Sequence, residues 1–492
     1  MYRISLRTMM TLAAVSWLMT APLVAQGPAQ PAAPAVPAAP VPPAPLPPGQ
    51  TNDPYPQPIA ATEGVIGVNA SEFATLPDIE GVPARMMRLV DETGTKRFFV
   101  NDMRGPLYSV SYDGKAVSLY LDINDPKWGV AVQSQGRERG VQNFAFHPDF
   151  ARAGSPGAGK FYTYTDTTNQ TPAPDFTTPG PKSTHDTVLL EWTAKTPGAA
   201  AYDGGAPREL IRLRQPFANH NGGHLAFNPT AAAGSAERGW LYMGIADGGS
   251  GGDPMKLAQN MSSAFGKIVR IDPLGKNSSN GKYGIPAVNP FVKQAGALPE
   301  IYALGVRNPQ RLAWDPKTGR MYMSDIGQDI VEEISPVTAG ANLGWNVWEG
   351  NYRFISREAV SSEKPRSDPA MTYPVAEWGQ RDPLLQSSGA ATGLVVYRST
   401  EIPQLANRLI FADMPSGEIF YISADGTSAG TQDVIRRILL NNGKTMLQLI
   451  QAKNEAQGKK PATRSDLRLG ESADGRVFLL NKQDGVIRVL VP

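Results

Sequence analysis

The chain has 492 residues, with 47 Lys and Arg against 45 Asp and Glu, and no cysteine. Charge this evenly balanced argues against a nucleic-acid partner or an anionic membrane, and the missing cysteines exclude disulfides, thiolate metal sites and a lipidated N-terminal Cys. With 49 Gly, 44 Pro and only 19% charged residues, the composition suits a turn-rich β protein better than a helical one.

Residues 1–25 read as a secretory signal. Arg3 and Arg7 form its basic end, Met9 to Val24 its apolar stretch, and Ala25 the cleavage residue. Ser16, Thr20 and Pro22 interrupt the short apolar stretch, so no membrane span is expected once the signal is removed. An exported chain without disulfides points to a periplasmic or secreted protein. Residues 26–62 are dominated by Pro and Ala and read as an extended spacer with no core-forming capacity. The folded domain is expected over residues 63–492.

Within that domain one pattern recurs: an alternating apolar run, a polar turn, then a second alternating run. It starts at Arg97, Lys160, Trp240, Arg320, Arg408 and Arg476. Period-two alternation broken by Gly, Asp and Asn marks antiparallel hairpins. The starts are 63, 80, 80, 88 and 68 residues apart, which leaves room for long inserted loops. Six similar β units predict an all-β fold, a six-bladed β-propeller with inserted loops, with a pair of β-sandwiches as the alternative. The stretch from Asp253 to Ala264 is the candidate for a short helix.

Two polar segments stand out. His220 lies in NHNGGHLAF (219–227), among small residues at the mouth of an apolar run, where a side chain is readily presented to a ligand. LGVRNPQ (304–310) carries Arg307 and Asn308. In a propeller, loops from different blades converge on one channel mouth, so a base and a cation are expected over one pocket. The loop Asp247 to Asp253 is rich in Gly, but it lacks a Gly-Lys-Ser/Thr ending and is acidic at both ends, so it is not a nucleotide loop. His147 reads as a turn residue and His185 as a surface residue.

The stretches ERGVQNFAFHPDF (138–150), NHNGGHLAF (219–227), LYMGIADGGSGGDP (241–254), YALGVRNPQRLAWDPKTG (302–319), SDIGQDIVEEI (324–334) and ANLGWNVWEG (341–350) resemble the soluble quinoprotein glucose and aldose sugar dehydrogenases, the glucose/sorbosone dehydrogenase family. The resemblance implies a six-bladed propeller that binds pyrroloquinoline quinone (PQQ) and Ca²⁺ over its channel and oxidises a sugar at C1. It implies His220 as general base, with Arg307 stabilising charge on the reduced cofactor. Cofactor contacts would come from Glu138, Asn219, Arg307, Asn308 and Arg464. The carbonyls of Gly327 and Gln328 would hold Ca²⁺. Glu332 and Glu333 would serve a second Ca²⁺ or form a solvated hairpin edge. Partners would be a sugar and an electron acceptor the residues do not specify. Two departures stand against this. The family's late-blade lysine aligns with 413–417, where there is none, and its Arg-x-Arg-Asp segment reads Thr463-Arg464-Ser465-Asp466-Leu467-Arg468. Three carboxylates leaving water need cationic partners, so weakened cofactor binding is expected. The rival reading is a non-catalytic propeller that binds carbohydrate or protein; a Ca²⁺-dependent lactonase is a third.

Overall fold

The computed structural model describes residues 45–180, 183, 185–385, 389–426 and 430–492. The signal and most of the spacer therefore lie outside the described residues. Among these residues the protein is mostly β, built from small antiparallel sheets.

Four sheets of the body have four strands each. The first comprises Met86–Glu92, Arg97–Asp102, Pro106–Ser111 and Val117–Asp122. The second comprises Val141–Phe146, Lys160–Thr167, Asp186–Thr193 and Arg208–Arg214. The third comprises Leu225–Phe227, Leu241–Ile245, Lys267–Ile271 and Ile301–Leu304, and the fourth Pro309–Trp314, Met321–Asp325, Val331–Val337 and Ala376–Gly379. An eight-stranded sheet follows. It holds Ala391–Tyr397, Arg408–Asp413, Ile419–Ser423 and Arg436–Leu440, then Ile66–Thr75, Val486–Val491, Val477–Leu480 and Arg468–Glu471. Each hairpin start expected from sequence falls on, or one residue before, the second strand of a four-strand run. A small outlying sheet joins Gln50–Thr51 to three short strands between Trp348 and Ser361.

The leading strands of successive runs pack against one another in a closed circuit. Arg468–Glu471 meets Met86–Glu92, which meets Val141–Phe146, and so on round to Ala391–Tyr397. The circuit is closed by the strand Ile66–Thr75. Its sequence IGVNASEFAT alternates, so Val68 and Ala70 are buried while Asn69 and Ser71 are exposed, and a register shift between Glu72 and Ala74 lets Ala74 turn inward. It pairs antiparallel with Val486–Val491, Asn69 facing Val491, and in parallel with Arg436–Leu440, Ile66 facing Ile438. Strands far apart in the sequence are thereby tied into one sheet, which covers two edges that would otherwise template aggregation.

The core lies between neighbouring sheets. Tyr162, Tyr164 and Leu213 of the second sheet pack against Leu225, Met243 and Ile245 of the third. Trp378 stacks on Phe411 with ring centroids 5.2 Å apart, joining the fourth sheet to the eight-stranded one.

Two local expectations differ from the structure. Asp253 to Ala264 is a run of turns. The Asp253 carboxylate accepts the N–H groups of Leu257 and Ala258, each at 2.9 Å, and Lys267 Nζ donates to the carbonyls of Leu257, Ala258 and Phe265, so both ends of that backbone are bonded outside a helix. The helix lies instead at Met446–Ala456, where Thr445 and Gln448 form a capping box. The end of the spacer packs on the body, Ile59 being buried with its N–H donated to Asp382 at 2.7 Å.

Candidate functional site

The site begins at the loop before Leu225–Phe227. His220 has φ 55°, a left-handed conformation uncommon for a residue with a side chain and often found where function holds strain in place. Two contacts fix it: its N–H donates to Glu138 Oε2 at 2.7 Å, and its ring Nδ1 lies 2.6 Å from Asp247 Oδ1. Asp247 follows the strand Leu241–Ile245 and is itself tied down. Trp345 Nε1 donates to its other oxygen at 2.8 Å, and Gly249 N–H donates to Oδ1 at 2.9 Å. Burial would raise the Asp247 carboxyl, but the His220 ring and Arg307 outweigh it and hold it below the usual range. Asp247 is therefore a carboxylate, and its bond requires the hydrogen of a neutral His220 to sit on Nδ1. Nε2 then carries the lone pair. No protein atom bonds it among the described residues, and His220 lines a cavity.

Arg307 and Asn308 enter the same cavity from the loop before Pro309–Trp314. The Asp325 carboxylate accepts both of their N–H groups, at 2.8 and 2.6 Å. Burial pushes Asp325 up to about 7 despite these bonds and the Arg307 charge. The Arg307 carbonyl accepts the N–H of Asp247 at 2.8 Å, so the His220 and Arg307 loops share one hydrogen-bonded frame. Arg307 donates to the Ile326 carbonyl at 2.9 Å and lies 5.7 Å from the centre of the Trp345 ring.

The cavity measures ≈ 630 Å³, room for a tricyclic cofactor with a sugar. His220, Glu138, Arg307, Asn308, Gly327, Gln328 and Arg464 all line it; Asn219 does not. The Asn219 side chain is occupied with the Ser250 backbone, bonding both its carbonyl and its N–H, so it ties two loops together. Six basic side chains line the cavity, Arg85, Arg137, Arg307, Arg464, Arg468 and Lys482, against the acidic Glu138, Asp329 and Asp466.

Basic residues reach the cavity wall from positions other than the aligned lysine. Met414 and Pro415 line the cavity where a lysine aligns, and a side chain at Gly417 would meet Leu447 N at 2.6 Å because the helix Met446–Ala456 packs there. Lys482, after the strand Val477–Leu480, reaches the wall on another side, its Nζ donating to the Arg137 carbonyl at 3.0 Å; burial first, then the Arg468 charge, hold its ammonium well below the usual range while the cavity holds no anion. Arg464 and Arg468 both face the cavity despite their altered spacing. The left-handed Asp466 between them, φ 53°, turns the backbone, and Arg464 Nε bonds its carboxylate at 2.6 Å. No local sequence signal marks Lys482 or Arg85; only the fold brings them in.

Gly327 and Gln328 form a tight turn. A side chain on Gly327 would strike the Val331 carbonyl. Glu349 Oε1 accepts the N–H groups of Gln328, Ile330 and Val331 at 2.9–3.0 Å, which orients the turn. No donor bonds the carbonyls of Gly327 or Gln328 among the described residues. The chemistry of that donor set fits a hard cation. Of the two readings of Glu332 and Glu333, the solvated hairpin edge does not hold. The two residues are 0% and 7% exposed. Glu332 accepts from Gly327 N–H, Ala391 N–H and Gln380, which makes it a structural brace. Among the described residues no group of three or more His, Asp or Glu is arranged for a metal ion. His185, expected at the surface, is fully buried, and burial pushes it down to about 4.

Small sheets around a closed circuit carry a His–carboxylate pair over a cavity rich in basic residues, an all-β architecture. Within it, the pattern of the glucose/sorbosone dehydrogenase family matches residues 83–444, and this chain belongs to that family of sugar dehydrogenases. It is 31% identical over 354 residues to HIPL1 protein of Arabidopsis thaliana, covering 65% of this chain and 50% of that one. It is 28% identical over 228 residues to aldose sugar dehydrogenase YliI of Escherichia coli strain K12, covering 46% and 53%. The chain thus spans about half the length of these relatives. The PQQ-bound aldose sugar dehydrogenase of Streptomyces coelicolor superposes with a TM-score of 0.55 at 20% identity, over 86% of this chain and 98% of that one, which supports a propeller-like fold. No described helix is long and apolar enough to cross a membrane.

Proposed function

We propose that this protein is an exported, PQQ-dependent aldose dehydrogenase on a six-bladed propeller, with His220 as its general base. The blade number follows from taking the eight-stranded sheet as two four-stranded blades, beside the four separate sheets of the circuit. One observation carries the chemistry. His220 has Nδ1 locked by the Asp247 carboxylate and its other nitrogen turned to a cavity rich in basic residues.

When bound, the quinone supplies the hydride acceptor. Everything else falls to the chain. Arg85, Arg464, Arg468 and Lys482 would neutralise the three cofactor carboxylates, since charge-assisted bonds are the strong ones in a water-poor cavity. The carbonyls of Gly327 and Gln328 would hold the Ca²⁺ that accompanies the cofactor. Arg307 would stabilise charge on the reduced ring. His220 Nε2 would take the proton of the sugar C1 hydroxyl, and Asp247 would stabilise the imidazolium that forms, while Trp345 keeps Asp247 in place.

The experiment is calorimetry of the apoprotein with PQQ, with and without Ca²⁺, followed by aldose-dependent dye reduction. Ca²⁺-dependent uptake with turnover is expected. No uptake at high micromolar PQQ would overturn the reading and leave a binding module.

A further inference from the structure

The leading strands run from the cofactor cavity to a second one, and the residues where they pass between the two form a waist. Arg88 comes from Met86–Glu92, Arg311 from Pro309–Trp314, Arg468 opens Arg468–Glu471, and His224 precedes Leu225–Phe227. The second cavity measures ≈ 750 Å³ and is lined by Arg88, whereas Arg468 lines the cofactor cavity. Arg311 faces neither. It crosses the channel from the fourth sheet to the Met87 carbonyl on the first, and also bonds the Gln310 carbonyl at 2.8 Å.

The waist has donors without acceptors. Nε of Arg88, of Arg311 and of Arg468 are buried with no partner, and so is Nε2 of His224. Arg311, Arg468 and His224 are only 1%, 3% and 0% exposed. The Asn143 amide nitrogen lies 3.4 Å from His224 Nδ1, which makes Nδ1 the acceptor and leaves the ring hydrogen on Nε2. None of the three arginines makes an ion pair among the described residues. The nearest carboxylates are engaged or turned to solvent. Asp466 is bonded to Arg464 and Gln483, Glu138 to the His220 backbone, and Glu471, the carboxylate nearest Arg88, is exposed and makes no ion pair with it. Burial first, then the charges of Arg88 and Arg468, push the Arg311 guanidinium well below its usual range, and His224 is held neutral by burial beside Arg88 and Arg311. Buried cations without counter-charge are costly.

We infer that this waist is an anion site, in which the unpartnered N–H groups of Arg88, Arg311, Arg468 and His224 bind one small monoanion of the halide class. Single N–H donors favour a spherical ion. The Arg311 Nη groups are already taken by carbonyls, so the fork that recognises a carboxylate or phosphate is not free there. The ion supplies the missing counter-charge and separates the cofactor cavity from the second one. The anion site needs no PQQ, but it shares Arg468 with the cofactor cavity.

The test uses bromide as probe. The full chain is exchanged into methanesulfonate, titrated with sodium bromide at constant ionic strength while its thermal midpoint is followed, and crystallised with bromide for anomalous diffraction. An anomalous peak in contact with Arg311 Nε and Arg88 Nε is expected, together with a midpoint that rises and saturates with bromide. Arg88→Gln should weaken the bromide affinity by about one to two powers of ten, the value of one charge-assisted bond. A waist holding only water at high bromide, or the same midpoint response in wild type and Arg88→Gln, would overturn the site.

Discussion

His220 carries two constraints of different origin. Its backbone is held left-handed by Glu138, and its ring is oriented by Asp247. Replacing His220 by Gln should leave the fold intact and lower kcat by about 10²–10⁴-fold, the usual contribution of general-base catalysis; a loss below about tenfold in dye-reduction assays would point to another base. Asp247→Asn should lower kcat with little change in KM, because an amide no longer selects the Nδ1–H tautomer. Lys482→Met should raise the PQQ dissociation constant about 10–100-fold in calorimetry, the loss of one charge-assisted contact. An unchanged constant would mean that the arginines suffice. At this scale His220 and Arg307-Asn308 are legible in the sequence, because each stands in a contiguous polar motif. Asp247 is not legible as the partner of His220, since it sits 27 residues on at the edge of a loop whose glycines dominate the reading. Lys482 is hidden for a stronger reason: its place in the cavity depends on the closure of the whole circuit.

The hairpins are legible because alternation is a local signal, and each expected start falls on a second strand or just ahead of it. Closure is not local. Ile66–Thr75 pairs with strands more than 360 residues away, and no turn announces that pairing. The helix Met446–Ala456 is short and follows a Gly-containing turn, so its capping box is the one available cue. The closing strands should be energetically decisive. Ile487 is 0% exposed and faces Ala74 across the closure. Ile487→Ala should cost about 2–5 kcal/mol in urea unfolding. A cost under about 1 kcal/mol would mean that the closure relaxes around the cavity.

Across the molecule, buried carboxyls set the pH response of the apoprotein. Asp166 is fully buried beneath Gln142, which lines the cofactor cavity, and accepts from Gln142, Thr187 and Gly140 N–H. Burial outweighs these bonds and raises it from 3.8 to about 7. A raised carboxyl contributes stability that is fully present below pH 3.8 and is lost as pH rises through 7, because the folded state must give up a proton it holds more tightly than the unfolded chain does. Asp166→Asn should therefore flatten the decline in urea midpoint between about pH 4 and pH 7; an unchanged slope would assign that decline to other groups.

The central claim is that His220 serves as base to a sugar bound beside the quinone. The most direct measurement is the absorbance of the Ca²⁺- and PQQ-loaded protein on anaerobic addition of aldose, in wild type and His220→Gln. The account predicts equal quinone uptake in both, with rapid bleaching of the quinone band in the wild type and bleaching slowed by about 10²–10⁴-fold in the variant. Bleaching at the same rate in both, or none in a fully loaded wild type, would contradict it.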